Sequence, residues 1–431
     1  MKICMMTNTY LPHVGGVARS VSTFADEYVK MGHEVLVVAP EFDGKPLAAK
    51  AEAMVERVPS LRHFNGSEFS VRLPLAAALS QRLDAFQADI IHAHHPFLLG
   101  DTALRIAMNK NVPIVFTHHT RYENYTHYVP FAEAMKEIAV QVPTHFANLC
   151  DGVIAPSESI ARVIKKRGVT TPVKVIPTGI DVAAFASANG ARFRQRMKLP
   201  EDALVIGHVG RLAQEKNLEF LAEGVALFLK QNPSAHFLVV GDGPGREALT
   251  ATFATHGVGD RLLLAGKRTG KILREAYRAM NVFAFASKSE TQGMVVAEAM
   301  AAGMPVVALN ASGVREVVKD GENGFLLPAS ASAADFAAAL ERCAEPATRA
   351  KLAAAAAETA KHFSREQSAR RALEFYDEMR KATRARRLLH HLNPWTALVQ
   401  RLGLEWDLLS TRTQTVAAAV FGDEEKKVSG A

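Results

Sequence analysis

Ser289-Glu290-Thr291-Gln292-Gly293-Met294-Val295-Val296-Ala297-Glu298-Ala299-Met300 runs directly into Ala301-Ala302-Gly303-Met304-Pro305-Val306-Val307. Two carboxylates stand eight positions apart across a glycine-containing turn that feeds a helix, and a strand-like segment follows. That order suits an α/β crevice holding a polyhydroxylated, phosphate-bearing ligand. A helix N-terminus offers unpaired backbone N–H groups to a phosphate, and each carboxylate can accept sugar or ribose hydroxyls. Eight residues are about two helical turns, ~12 Å if the helix spans the whole interval, so the two glutamates do not share one proton. Read alone, Glu298 also fits an ordinary surface position on a helix.

Working outward, the first half opens with an apolar strand at Ile3–Asn8, a glycine loop at Gly15-Gly16 and a helical pattern from Val17 to Met31. Strands follow at Glu34–Ala39, Ile90–His92, Ile114–Thr117, Gly152–Ala155 and Val173–Pro177, separated by helical segments. This alternation predicts a mostly parallel sheet covered on both faces. Thr178-Gly179-Ile180-Asp181 reads as a boundary, after which the pattern begins again. Strands are expected at Val205–Val209, Phe237–Val240, Arg261–Ala265, Val282–Ala286 and Pro305–Ala308, with a helix from Asn217. The alanine-rich stretch 331–363 predicts helix, and Ser364–Lys381 carries a further helical pattern. The domains are therefore 1–177, 178–363, a helix over 364–381, and a basic and apolar tail over 382–431 with Arg384, Arg386, Arg387, Trp395 and Trp406, which reads either as a peripheral contact with an anionic membrane surface or as a helix packed on the protein's own domains. Ligands of open α/β sheets bind beyond the C-terminal ends of the strands, so two such units invite a site in a cleft between them.

The 431 residues exceed one modest core, and no unbroken apolar run reaches the ~18 residues of a membrane span. Met1–Met6 reads as a first strand rather than an export signal. The three cysteines, at positions 4, 150 and 343, have neither disulfide nor metal-ligand spacing, which fits a reducing cytoplasm. A net charge of +7 favours anionic partners without choosing among nucleotide, nucleic acid and lipid. Basic runs interleaved with stacking aromatics are missing from the main body, which argues against nucleic acid.

Arg211 and Lys216 flank Leu212-Ala213-Gln214-Glu215 directly after a strand. Two cations at a strand's C-terminal edge can embrace a pyrophosphate, arginine as a fork and lysine as a point charge, and stabilise charge on a departing nucleoside diphosphate. Gly15-Gly16 precedes a helix and reads either as a phosphate or acceptor turn or as a purely structural one. His94-His95 and His118-His119 each follow a strand. Adjacent strand residues point in opposite directions and HExxH spacing is missing, so these pairs predict no metal centre. Tyr122, Tyr125 and Tyr128 recur every third residue, either as an aromatic patch at an amphipathic acceptor or as core and loop aromatics.

Taken together, GGVARSV at 15–21, GRLAQEKN at 210–217, VVGDGPGREAL at 239–249, SETQGMVVAEAMAAGMPVVA at 289–308 and GENGFLL at 321–327 resemble the retaining nucleotide-sugar glycosyltransferases of GT-B architecture, family 4. The resemblance spans roughly residues 1–380. It implies two Rossmann-like domains facing across a cleft, with a C-terminal crossover helix packing on the first. It implies that Arg211 and Lys216 hold the donor diphosphate, Glu298 the ribose hydroxyls, and Glu290 the hydroxyls of the transferred sugar. It assigns backbone N–H groups near Thr291, Gln292, Gly293 and Met294 to orienting sugar and phosphate. Gly16, beside Gly15, would let the first domain approach the phosphate, and one histidine of the 118/119 pair, preferably His118, would contact the sugar. No divalent metal or other cofactor is implied.

FTHHTRYENYTHYVP at 116–130 is similar to the corresponding segment of bacterial diacylglycerol glucosyltransferases. The resemblance thus implies retaining transfer of glucose from UDP-glucose to diacylglycerol by an enzyme peripheral on the cytoplasmic face of the membrane, with an anionic membrane surface as partner. UDP-galactose or GDP-mannose as donor, and a soluble, inositol-like or polyprenyl-linked acceptor, stay open. A non-catalytic sugar-nucleotide-binding module is the alternative from another class, and the intact Glu/Arg/Lys set argues against it.

Overall fold

The computed structural model describes all residues except Val14, 43–47, 62–70, 73–76, 124–131, Ser289 and 391–431. The described residues form two compact units, Met1–Pro177 joined by the last helix from Ser368, and Thr178–Gln367.

The first unit contains β1 (Lys2–Met6), α1 (Gly16–Lys30), β2 (Glu34–Pro40), α2 (Ala49–Glu52), β3 (Val55–Val58), β4 (Ser60–Leu61), β5 (Val71–Arg72), α3 (Ala77–Phe86), β6 (Ile90–Ala93), α4 (Leu99–Lys110), β7 (Ile114–Thr117), α5 (Ala132–Leu149), β8 (Gly152–Ala155), α6 (Glu158–Lys166) and β9 (Val173–Val175). Seven strands form one sheet in the order β3-β2-β1-β6-β7-β8-β9, with every pairing parallel. Alternation along the strands builds a core on each face. Cys4 and Met6 of β1 join Leu36, Ile91 and Phe116 on one side, while Ile3 and Met5 join Val35, Val37 and Val115 on the other.

The second unit contains α7 (Val182–Ala186), α8 (Gly190–Arg196), β10 (Leu204–Val209), α9 (Leu218–Gln231), β11 (Ala235–Val240), α10 (Arg246–Thr255), β12 (Leu262–Gly266), α11 (Gly270–Ala279), β13 (Val282–Phe285), α12 (Met294–Ala301), β14 (Val306–Leu309), β15 (Gly324–Leu327), α13 (Ala333–Ala344) and α14 (Pro346–Lys361). Its six strands run β12-β11-β10-β13-β14-β15, again all parallel. Both sheets follow the doubly wound order in which the chain first builds one way and then reverses beside its opening strand. A crevice opens at that reversal, at the C-terminal ends of the strands. The reversal falls between β1 and β6 in one unit and between β10 and β13 in the other.

The helical stretch expected over 331–363 forms as two helices, α13 and α14. Pro346 lacks an N–H and takes a first-turn position, and the Glu345 side chain accepts from the N–H groups of Ala347 and Thr348 at 3.0 and 2.6 Å, capping the second helix. The last helix, α15 (Arg365–His390), runs past the expected end at Lys381, because no proline or glycine interrupts the residues that follow. Ala369, Ala372, Phe375, Tyr376 and Met379 form its apolar stripe and bury themselves in the core beside β1 and α1. The tail beyond it, with Trp395 and Trp406, lies outside the described residues.

Candidate functional site

In the second unit, the crevice between β10 and β13 is lined by the loops that leave those strands. The chain exits β10 through Gly210-Arg211 and tightens into a 3-10 turn at Gln214–Lys216. It then enters α9 through Asn217, whose left-handed backbone (φ 54°) asparagine tolerates. The loop after β11 backs this turn. A Cβ on Gly241 would lie 1.8 Å from the Gly210 carbonyl oxygen, so only glycine permits the approach. The Leu212 N–H donates to Asp242 O at 2.9 Å, and the Gly245 N–H to Leu212 O at 2.8 Å. The glycines of VVGDGPG thus help hold the Arg211–Lys216 loop in place.

The structure brings Lys216 and Glu290 together. The ammonium donates to Glu290 Oε1 at 2.6 Å, and the Ser287 hydroxyl donates to the same oxygen at 2.8 Å. Both charged side chains are about four-fifths buried, at 20% and 16% exposure. Arg211 donates to Glu215 Oε1 at 2.5 Å while remaining 55% exposed. Burial alone would raise the Glu215 carboxyl, but the bond from Arg211 and the charges of Arg211 and Lys216 outweigh it and hold that carboxyl below the usual range. Two cations thus stand on one short loop, positioned by carboxylates.

The Glu290–Glu298 interval is not all helix. Gly293 caps α12 in a left-handed conformation (φ 73°), Met294 is the first helical residue, and Glu290 precedes the turn. A Cβ on Gly293 would meet Gly313 O at 2.8 Å. Glu298 is fully buried rather than on the surface, and its Oε2 accepts from the Tyr277 hydroxyl of α11 at 2.8 Å. Gln292 is buried as well. Its side-chain amide donates to Thr178 O and accepts from Thr178 N–H, both at 2.7 Å, so it braces the start of this unit and leaves only its backbone to face a ligand. Thr291 is half-buried beside it.

Three participants escaped the sequence reading: Ser287, Tyr277 and His208. His208 of β10 is fully buried, stacked at 5.9 Å on the Phe285 ring, with Nδ1 3.2 Å from Ala284 O and Nε2 without a partner. Burial drives its imidazole down to about 4, with the Lys216 charge adding to the effect. It therefore stays neutral beside the charged pair.

In the first unit, the β1–β6 crevice and the adjacent end of β7 carry a histidine cluster. His94 Nδ1 lies 2.9 Å from His119 Nε2, and the His94 ring packs on His92 at 4.0 Å. His95 Nδ1 accepts from the Asn8 N–H at 3.1 Å. His118 is buried, with Nδ1 unpartnered. Burial, then the Arg167 charge, lowers its imidazole to about 4. His119 is thus engaged by His94 while His118 keeps an unused ring nitrogen. Gly15 caps α1 and Gly16 begins it. A Cβ on Gly16 would meet no protein atom within 4 Å, so packing does not demand glycine there. Tyr122 begins a short helical turn, while Tyr125 and Tyr128 lie outside the described residues. Among the described residues no group of three or more His, Cys, Asp or Glu side chains could hold a metal ion, and no helix is long and apolar enough to cross a membrane.

Residues 14–184 match the family model described as Glycosyltransferase Family 4, and residues 190–363 match Glycosyl transferases group 1. The alpha-monoglucosyldiacylglycerol synthase of Streptococcus pneumoniae is 30% identical over 339 residues, covering 76% of this chain and 75% of the relative. A GDP-mannose-dependent alpha-mannosyltransferase of Mycobacterium tuberculosis is 30% identical over 335 residues, covering 76% and 84%. Among solved structures, HepE of Anabaena in complex with UDP has a TM-score of 0.72 at 23% identity, covering 88% of this chain and 100% of that one.

Proposed function

Because this chain belongs to the GT-B glycosyltransferases of family 4, we propose that it transfers glucose from UDP-glucose to the free hydroxyl of diacylglycerol with retention of the anomeric configuration. The observation that carries the reading is the Lys216–Glu290 pair at the β10–β13 crevice, held by Ser287 and backed by Arg211 on the same loop. Likeness to the pneumococcal diacylglycerol-glucosylating relative supports the choice of sugar and acceptor.

In this reading the bond from the sugar's anomeric carbon to the diphosphate oxygen breaks first, leaving an oxocarbenium-like sugar. Arg211, Lys216 and the N–H groups at the start of α12 stabilise the leaving phosphate. The acceptor oxygen bonds to the anomeric carbon on the same face, and its proton passes to a leaving-phosphate oxygen. Glu290 takes hydroxyls of the transferred sugar, exchanging its bond from Lys216 for bonds from substrate. Glu298, oriented by Tyr277, takes the ribose hydroxyls. From the first unit, Gly16 admits the phosphate closely and His118 offers its ring nitrogen to the sugar. A lipid acceptor brings the enzyme to a membrane surface, where it binds peripherally on the cytoplasmic face.

The mycobacterial relative favours a second reading, transfer of mannose from GDP-mannose. Incubating the full chain with UDP-glucose, UDP-galactose or GDP-mannose against diacylglycerol, inositol-type and polyprenyl acceptors, followed by mass spectrometry, separates the two. Glucosyldiacylglycerol from UDP-glucose is the expected product. Turnover of GDP-mannose alone would replace the first reading with the second, and no product with any pair would remove both.

A further inference from the structure

The first unit has a recess at the end of its sheet opposite the histidine cluster. Asp89 immediately precedes β6, and Val112 and Pro113 precede β7, so these residues mark the N-terminal edge of the strands. Arg380, Thr383 and Arg384 of α15 close over them, leaving a cavity of about 100 Å³ whose exposed lining is mainly polar. One buried water needs only ~10–15 Å³, so the space admits a tetrahedral oxyanion.

The charges of the lining do not cancel. Asp89 accepts from the Lys2 N–H at 2.8 Å through one oxygen and from Arg380 at 3.0 Å through the other. Arg380 also donates to Asp377 at 3.3 Å, and Lys381 meets the second oxygen of Asp377 at 3.3 Å. Both carboxylates are thereby engaged by cations. Arg384, one helical turn beyond Arg380, has no carboxylate within ion-pair distance among the described residues. The neighbouring Thr383 hydroxyl oxygen is buried without a hydrogen-bond partner, an arrangement that costs free energy until a partner arrives. A guanidinium fork is suited to a planar or tetrahedral oxyanion, and a threonine hydroxyl adds a donor on the same helix face.

We propose that this recess is a second anion site, in which Arg384 and Thr383 bind a phosphate group. It is independent of the donor reading, because its residues lie at the opposite strand ends from the first-unit site and share none with the Arg211–Lys216 loop. The phosphate comes either from a small free anion or from the headgroup of an anionic lipid.

Two probes separate these sources, applied to the full chain and to folded Arg384→Glu, Thr383→Val and Lys216→Ala variants. Calorimetry reads inorganic phosphate. Flotation reads vesicles of equal phosphatidylglycerol and phosphatidylcholine against phosphatidylcholine alone. Loss of one charged hydrogen-bond partner should weaken binding about tenfold or more in Arg384→Glu and less in Thr383→Val, with Lys216→Ala leaving this component intact. An Arg384-dependent signal with inorganic phosphate assigns a free phosphate group. The same dependence seen only with phosphatidylglycerol vesicles assigns the headgroup. Binding of both probes unaffected by Arg384→Glu, or no binding of either, overturns the proposal.

Discussion

Lys216 and Glu290, seventy-four residues apart in sequence, meet at 2.6 Å across the β10–β13 crevice. Each partner is preorganised by its own strand end, so the pair is set before a ligand arrives. If Lys216 stabilises charge that grows on the leaving diphosphate, Lys216→Ala should lower kcat/KM by ~10²-fold or more. Steady-state kinetics on a folded variant decides this, and an unchanged kcat/KM defeats the assignment.

The second glutamate makes a different prediction because it is fully buried and bonded by Tyr277. Glu298→Ala should chiefly weaken nucleotide binding, whereas Glu290→Gln should chiefly lower kcat. Tyr277→Phe leaves a carboxylate oxygen short of a donor, at a cost of about 1–3 kcal/mol, and should reduce UDP affinity with a smaller effect on kcat. Calorimetry with free UDP reads the difference. Equal loss of UDP affinity in the Glu290 and Glu298 variants would contradict separate roles.

The strands that carry these residues were readable because buried parallel strands are short apolar runs closed by polar or small residues, as at Val205–Val209 and Val282–Ala286. Two of the edge strands, β3 and β15, were less visible. Val55–Val58 sets two adjacent charges between its valines and so lacks strand alternation, and Gly324–Leu327 becomes a strand by pairing with β14, a tertiary event. The break between α13 and α14 had a local signal in Pro346 that alanine propensity obscured. Arg211, Lys216 and Glu290 stood out as charges at strand and helix ends, whereas Glu298, inside α12, fits an ordinary surface position when its segment is read alone. Tyr277, Ser287 and His208 were not, since a tyrosine, a serine and a strand histidine acquire meaning only from partners brought in by the fold.

Gly293 and Gly16 give opposite stability predictions. Gly293 holds a left-handed φ and a Cβ there would press on Gly313 O at 2.8 Å. Gly293→Ala should therefore destabilise the second unit by about 1–2 kcal/mol from the backbone alone, and more from the clash. Gly16 begins a helix with open space around its Cβ position, so Gly16→Ala should leave stability unchanged or slightly improved. If a phosphate does approach that backbone, the same variant should raise the donor KM. Denaturation midpoints and donor saturation curves test both, and a Gly293→Ala protein as stable as the parent would refute the strain argument.

The last prediction concerns acid. His92 is buried with Nε2 2.6 Å from Thr117 Oγ1 and Nδ1 2.6 Å from the Tyr376 hydroxyl, which in turn lies 3.0 Å from the Tyr28 hydroxyl. The His94 ring covers one face. Burial pushes His92 from 6.5 down to about 3, and His95 likewise. The folded state thus keeps these rings neutral where the unfolded chain takes up protons. Their contribution to stability is complete above about pH 6.5 and declines as pH falls toward the folded values. Each such histidine contributes a slope approaching about 1.4 kcal/mol per pH unit below 6.5. Carboxylates with lowered values, such as Asp89 and Glu123, act in a more acidic range, so the interval from 6.5 to about 5 isolates the histidines. Urea denaturation across that interval should show stability falling with acid, and His92→Gln should flatten the slope even while lowering stability at neutral pH. An identical slope in parent and variant would mean that His92 does not enter this linkage.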